Sequence, residues 1–224
     1  MSQALLAQGD FTSAVNAGQA AIILNSIDSL NYINVSRIFE TFISSLLTVQ
    51  NPDNQQKENL NNVYKATLNN YKTAAELDPK NPDIPLYIAR LHFSMNSISE
   101  AKKSIDESLA LKPDYANAYF LYSQIFEQEN KMDDAIYNAQ KAKLNNSNDI
   151  GILFQLGNLY YKNGQLDMAQ KEFENTLSLY PTHSNSRYIL GLVYDKNGLK
   201  DKAIEQFEKI LELSKKPEIG ENGF

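Results

Sequence analysis

The sequence predicts an all-α fold made of antiparallel helical hairpins stacked as a solenoid, and three observations predict it. Ala101, Ala135, Ala169 and Ala203 stand 34 residues apart, each opening a run with helical spacing of apolar residues. A fixed period of this size is the mark of stacked two-helix units, since one hairpin cannot bury its apolar face alone. A second column at the same period, Asn96, Asn130, Gly164 and Gly198, carries residues that tolerate the left-handed conformation ending a helix.

In register, units begin at Pro82, Ala116, Ile150 and Ser184, giving boundaries 82–115, 116–149, 150–183 and 184–217, with a polar tail at 218–224. Their seventh and eighth positions read Ile88-Ala89, Tyr122-Ser123, Leu156-Gly157 and Leu190-Gly191. The eleventh reads His92, Phe126, Tyr160 and Tyr194, and the twenty-fourth reads Ile105, Ala139, Phe173 and Phe207. Small residues at the eighth and twentieth positions let paired helices approach closely, and the large ones fill the space between hairpins. Thr12, Ser99, Asp133, Asp167 and Asp201 follow the turns by three residues and are expected to cap the second helices, not to bind metal.

This pattern of Leu-Gly, Tyr, Ala, Phe and Pro at set offsets resembles the tetratricopeptide repeat, most fully over 150–183 and nearly as well over 184–217. The 82–115 and 116–149 units are more degenerate, with Ser147 where proline is expected. The resemblance implies a right-handed superhelical solenoid that binds a protein or peptide along a concave groove lined by its first helices. Carried over position by position, the groove residues are Arg37, Arg90, Phe93, Phe120, Gln124, Phe154, Asn158, Tyr161 and Tyr188, with Ile33, Glu40, Leu86 and Asp195 also on that face. The Lys/Asn/Asn/Lys/Arg clamp by which some members hold chaperone C-termini is missing: the equivalent positions include Leu86, Arg90, Leu121, Phe120, Gln124 and Gln155. Arg37 and Arg90 share the ninth position of consecutive units and form the sharpest binding signal. A guanidinium pair there could clamp an anion, unless each pairs with an inward acid such as Glu40 or Glu127.

The array is irregular at three places. With Ala14 in register, Met1 falls at the seventh position, so residues 1–28 are expected to form an incomplete repeat. The next unit spans 29–81, 53 residues against 34, and is expected to be a lengthened hairpin of helices 29–50 and 54–77 joined at Asn51-Pro52-Asp53. Nine or ten extra residues per helix would extend the hairpin by about 15 Å. Its Phe42, Ile43, Leu46, Leu47, Leu60 and Val63 are expected to pack mainly on each other. The last helix, with Ile204, Phe207, Ile210 and Leu211, shows more apolar surface than one neighbour covers. Self-association through the terminal helices or the long hairpin is therefore a further expectation.

Composition narrows the function classes. A formal charge of -6 without a basic cluster argues against nucleic acid, and the absence of cysteine removes thiol chemistry and cysteine-zinc sites. No stretch reaches the ~18 apolar residues of a membrane span, so the chain as given reads as soluble. His92 and His183 are the only histidines and sit in different units; His92 occupies an aromatic packing position. No phosphate-binding glycine loop or cofactor motif is present. The chain therefore reads as a non-enzymatic scaffold or adaptor, in the cytoplasm or as the soluble part of a membrane-anchored protein. The alternative is a regulatory or docking domain of a larger bacterial membrane protein, such as a surface-polysaccharide ligase or polymerase.

Overall fold

The structure, a computed structural model, describes residues 22–215 together with Asn16, Gln19 and Ala20. The expectations for Met1, Thr12 and Ala14 lie outside the described residues. Among the described residues there is no strand. The chain divides into two compact units, 1–118 and 119–224, described separately below.

In the first unit, helices α1 (Ser29–Leu47) and α2 (Asn54–Leu77) form the lengthened hairpin. Asp28 caps α1 by accepting from the Leu30 amide. The arms are unequal: α1 ends at Leu47 rather than residue 50, and α2 has 24 residues to the 19 of α1. Two features stop α1 there. Thr48 turns its hydroxyl back onto the Ser45 carbonyl, and Asn51 takes the left-handed conformation at φ 56° before Pro52. Asp53 then starts α2 with a reciprocal capping box: its carboxylate accepts from the Gln56 amide, and the Gln56 side chain accepts from the Asp53 amide.

Helix α1 buries two faces. Ile33 and Ile43 join Tyr71 and Ala74 of α2, while Val35, Ile38 and Phe39 form a second cluster with Val63 and Ala66. Of the apolar arm residues, Ile43 is buried and Leu60 and Val63 pack on these clusters; Leu47 remains 45% exposed. Helix α2 also packs on α3 (Asp83–Ser94), which pairs with α4 (Ile98–Leu111), and the Ser108 hydroxyl donates to the Pro82 carbonyl across that pair at 2.7 Å. Helix α5 (Ala116–Gln128) follows.

In the second unit α6 (Met132–Asn145) packs on α7 (Ile150–Lys162), which pairs with α8 (Leu166–Leu179); α8 packs on α9 (Ser184–Lys196), which pairs with α10 (Lys200–Ser214). One continuous core runs through it, from Ala135 and Ala139 by Leu156, Tyr160 and Phe173 to Val193 and Tyr194. Two glycines set its helix spacing. A β-carbon on Gly157 would sit 2.8 Å from the Phe173 ring, and one on Gly191 2.6 Å from the Phe207 ring. Phe173 is fully buried and has nowhere to go, whereas Phe207 is partly exposed on α10. Gly157→Ala is therefore expected to destabilise by about 1–2 kcal/mol, overpacking outweighing its helix-propensity gain. Gly191→Ala is expected to stay within about 0.5 kcal/mol of the parent, and urea denaturation of the two variants checks the contrast.

The hairpin turns share one construction. Asn96, Asn130, Gly164 and Gly198 have φ of 58°, 57°, 73° and 75°. In each, the next residue's amide reaches back to the carbonyl five residues before it, as in Lys131 to Phe126 and Gln165 to Tyr160, both 2.9 Å. These are Schellman closures, and they lead straight into the next helix. The second helices consequently start earlier than their polar column suggests. Ser97, Lys131, Gln165 and Leu199 hold the cap positions without side-chain caps. Ser99, Asp133, Asp167 and Asp201 are in the first helical turn instead, where the acids favour the helix N-terminal charge rather than capping an amide.

Candidate functional site

A polar cavity of 730 Å³ in the first unit is walled by α1, α3 and the start of α5. That volume is in the range of ligand sites. Arg37 and Glu40 from α1, Asp83, Leu86, Tyr87 and Arg90 from α3, and Tyr115 just before α5 all line it. Arg37 and Glu40 are one helical turn apart, as are Tyr87 and Arg90, so each helix brings a guanidinium and a second polar group to the same wall.

The acids in the cavity are engaged from behind by tyrosines. Tyr71, fully buried on α2, donates its hydroxyl to the Glu40 carboxylate at 2.8 Å and stacks on Tyr87 with ring centroids 5.6 Å apart. Tyr115 donates to the Asp83 carboxylate. Burial pushes Glu40 above the usual carboxylate range, opposed by the Tyr71 hydrogen bond and by Arg90 and Arg37. Burial also raises the Tyr115 hydroxyl, with Asp83 adding to it, to about 12. Tyr87 is raised by burial first, and all four charges of the cavity act on it: Asp83 and Glu40 upward, Arg37 and Arg90 downward.

The guanidiniums behave differently. Arg37 and Arg90 are solvent-facing, and neither makes a hydrogen bond or an ion pair with any described residue. Glu40, the acid expected to neutralise them, is directed to Tyr71; Glu127, the other, holds Lys162 at 2.5 Å and the Gln155 amide at 2.6 Å. The third arginine is committed to the fold: Arg187 donates to Gln206 at 2.8 Å and to the Pro181 carbonyl at 2.6 Å.

The remaining groove candidates scatter. Leu86 forms cavity floor at 3% exposure, while Ile33 belongs to the core and not to the groove, because α1 turns that face toward α2. Phe93 is partly buried and outside the cavity. In the second unit Phe154 is wedged between the rings of Phe173 and His183, at 6.1 and 5.2 Å, and acts as packing. Tyr161 packs on the core beneath Lys196, whose ammonium lies 4.4 Å from its ring centroid. Phe120, Gln124 and Asn158 are partly exposed, and Tyr188 is 51% exposed beside Phe207. Tyr71, Asp83 and Tyr115 were not among the expected site residues: Tyr71 backs Glu40 from α2 and Tyr115 precedes α5, both outside the first-helix groove positions, and Asp83 stands at the very start of α3.

Models of the tetratricopeptide repeat match residues 61–125 and 154–216, which together take in α3, α4, α8, α9 and α10 and most of α2, α5 and α7. The chain belongs to the tetratricopeptide-repeat family. A relative, the TPR repeat-containing protein YpiA of Bacillus subtilis (strain 168), is 25% identical over 112 residues, half of this chain but 26% of YpiA. The chain thus spans about a quarter of that relative's length. Among solved structures, MamA is 24% identical with a TM-score of 0.61, covering 73% of this chain and 96% of its own. YrrB, described as a TPR protein with an unusual peptide-binding site, is 21% identical with a TM-score of 0.59, covering 89% and 93%. The Cut9–Hcn1 hetero-tetramer of the APC/C reaches a TM-score of 0.67 at 18% identity, covering 94% of this chain and 38% of its own. At such identities these likenesses show a common fold.

Both histidines of this repeat protein serve the hairpins. His92 meets the Tyr64 hydroxyl at 3.0 Å, and burial lowers its basicity. His183 caps α9 by accepting from the Ser186 amide. No described helix is long and apolar enough to cross a membrane.

Proposed function

We propose that this chain is a protein- or peptide-binding scaffold whose ligand is anchored by an anionic group in the cavity between α1 and α3. One observation carries the reading: Arg37 and Arg90 face the same 730 Å³ cavity and neither is paired with a described residue. Two guanidiniums without partners among the described residues supply up to ten N–H donors, enough for bidentate capture of a planar anion. The fold supports the same reading, because stacked hairpins present a continuous face of first helices to an extended ligand. YrrB, which shares the fold, has a peptide-binding site of its own.

The test is a comparison of the parent chain with an Arg37→Ala/Arg90→Ala double variant as bait. Both side chains are exposed, so thermal stability is expected to stay the same. A ligand identified with the parent is expected to bind the variant at least tenfold more weakly, the scale of one lost charge-assisted hydrogen bond pair. Equal affinity for both baits overturns the assignment of the cavity.

A further inference from the structure

The cavity between α1 and α3 contains two guanidiniums and two carboxylates, so its formal charges cancel. Glu40 is the acid closest in sequence to either arginine, one turn beyond Arg37, and its position is constrained. Tyr71 is fully buried, stacked on Tyr87, and donates to the Glu40 carboxylate at 2.8 Å. Turning Glu40 away would strand that buried hydroxyl, so the charge stays at the cavity wall. Arg90 and Arg37 act on Glu40 through space, yet neither closes on it as an ion pair.

A resident negative charge of this kind discriminates among anions. Coulomb attraction to the cavity grows in proportion to the charge of the incoming group, but the cost of stripping its water grows with the square. Where the resident charges nearly cancel, a second negative charge on the ligand adds little attraction and much desolvation.

We propose that Glu40 sets the charge of the group this cavity accepts, a single carboxylate rather than a dianionic phosphoryl group. This rests on the reading of the cavity as a peptide-anchoring site. The carboxylate can belong to an acidic side chain or to a chain terminus, and the cavity chemistry is shared by both. Removing the Glu40 charge leaves the cavity with one net positive charge, so affinity for any anion rises by a factor that compounds with its charge. For a carboxylate the gain is about tenfold, the scale of one neighbouring like charge, and for a dianion about the square of that.

Three fluorescein-labelled peptides in one alanine–serine frame test this by anisotropy at pH 7.5. One is C-terminally amidated with a single glutamate, one is amidated with phosphoserine in its place, and one carries glutamine there with a free C-terminal carboxylate. Each is titrated with the full chain and with Glu40→Gln, which keeps an oxygen to accept from Tyr71; circular dichroism and thermal melting verify its fold. The expected result is that a carboxylate peptide binds the parent more tightly than the phosphoserine peptide, and that Glu40→Gln shifts this ratio about tenfold toward phosphoserine. Whichever carboxylate peptide binds identifies its source. A parent that favours phosphoserine, or a ratio unchanged in Glu40→Gln, overturns this inference and leaves the peptide-anchoring reading standing. Failure of all three peptides to bind either protein overturns both.

Discussion

Phe173→Ala is expected to cost about 3–5 kcal/mol, the largest loss of any single truncation in the second unit. Phe173 is fully buried, and its ring is pressed against the bare Cα of Gly157 and faces Phe154 at 6.1 Å. The glycine that lets the ring in cannot grow to fill the space it leaves, so the cavity persists and the loss tends to the upper end of that range. Adding Gly157→Ala to Phe173→Ala should then be less harmful than Gly157→Ala alone, because the new methyl group enters a void instead of a ring. Chemical denaturation of the two single variants and the pair measures this coupling, and strict additivity would show that the helices close up when the ring is removed.

Lys143→Met is expected to destabilise by about 2–4 kcal/mol through the charge it abandons. Lys143 on α6 meets both carboxylate oxygens of Glu172 on α8, at 2.8 and 2.7 Å. Glu172 is 5% exposed and Lys143 retains partial solvent access. A buried carboxylate without its partner is costly, while removing both charges together is far cheaper. The Lys143→Met/Glu172→Gln pair should therefore recover more than half of the single-variant loss. Recovery of less than a quarter would mean that the abandoned Glu172 charge is not what makes the single variant costly.

Sequence spacing made the hairpins legible and left the site mostly hidden. The 34-residue columns located the helical turns because the rules for ending a helix are local. Asn96, Asn130, Gly164 and Gly198 adopt positive φ in agreement with their residue types. The same spacing misjudged the second-helix caps by two residues, since a Schellman closure commits the backbone before the polar column is reached. It singled out Arg37 and Arg90 by their shared register but could not show which arginines find a partner. Arg187 is held by Gln206 on α10 and by Pro181 in the loop before α9, whereas Arg37 meets no such partner among the described residues.

Period and composition by themselves determined that the chain is helical, that its helices pair as stacked hairpins, and that it lacks cysteine chemistry. These are properties of residues and their near neighbours, so they can be read along one dimension. Tertiary structure alone decided which polar groups remain available. Glu40 is directed to Tyr71, 31 residues away, Asp83 to Tyr115, 32 residues away, and Phe154 is folded into packing beside Phe173. A helix face is equally well formed whether a neighbour covers it or solvent does, and only the neighbour's position tells the two apart.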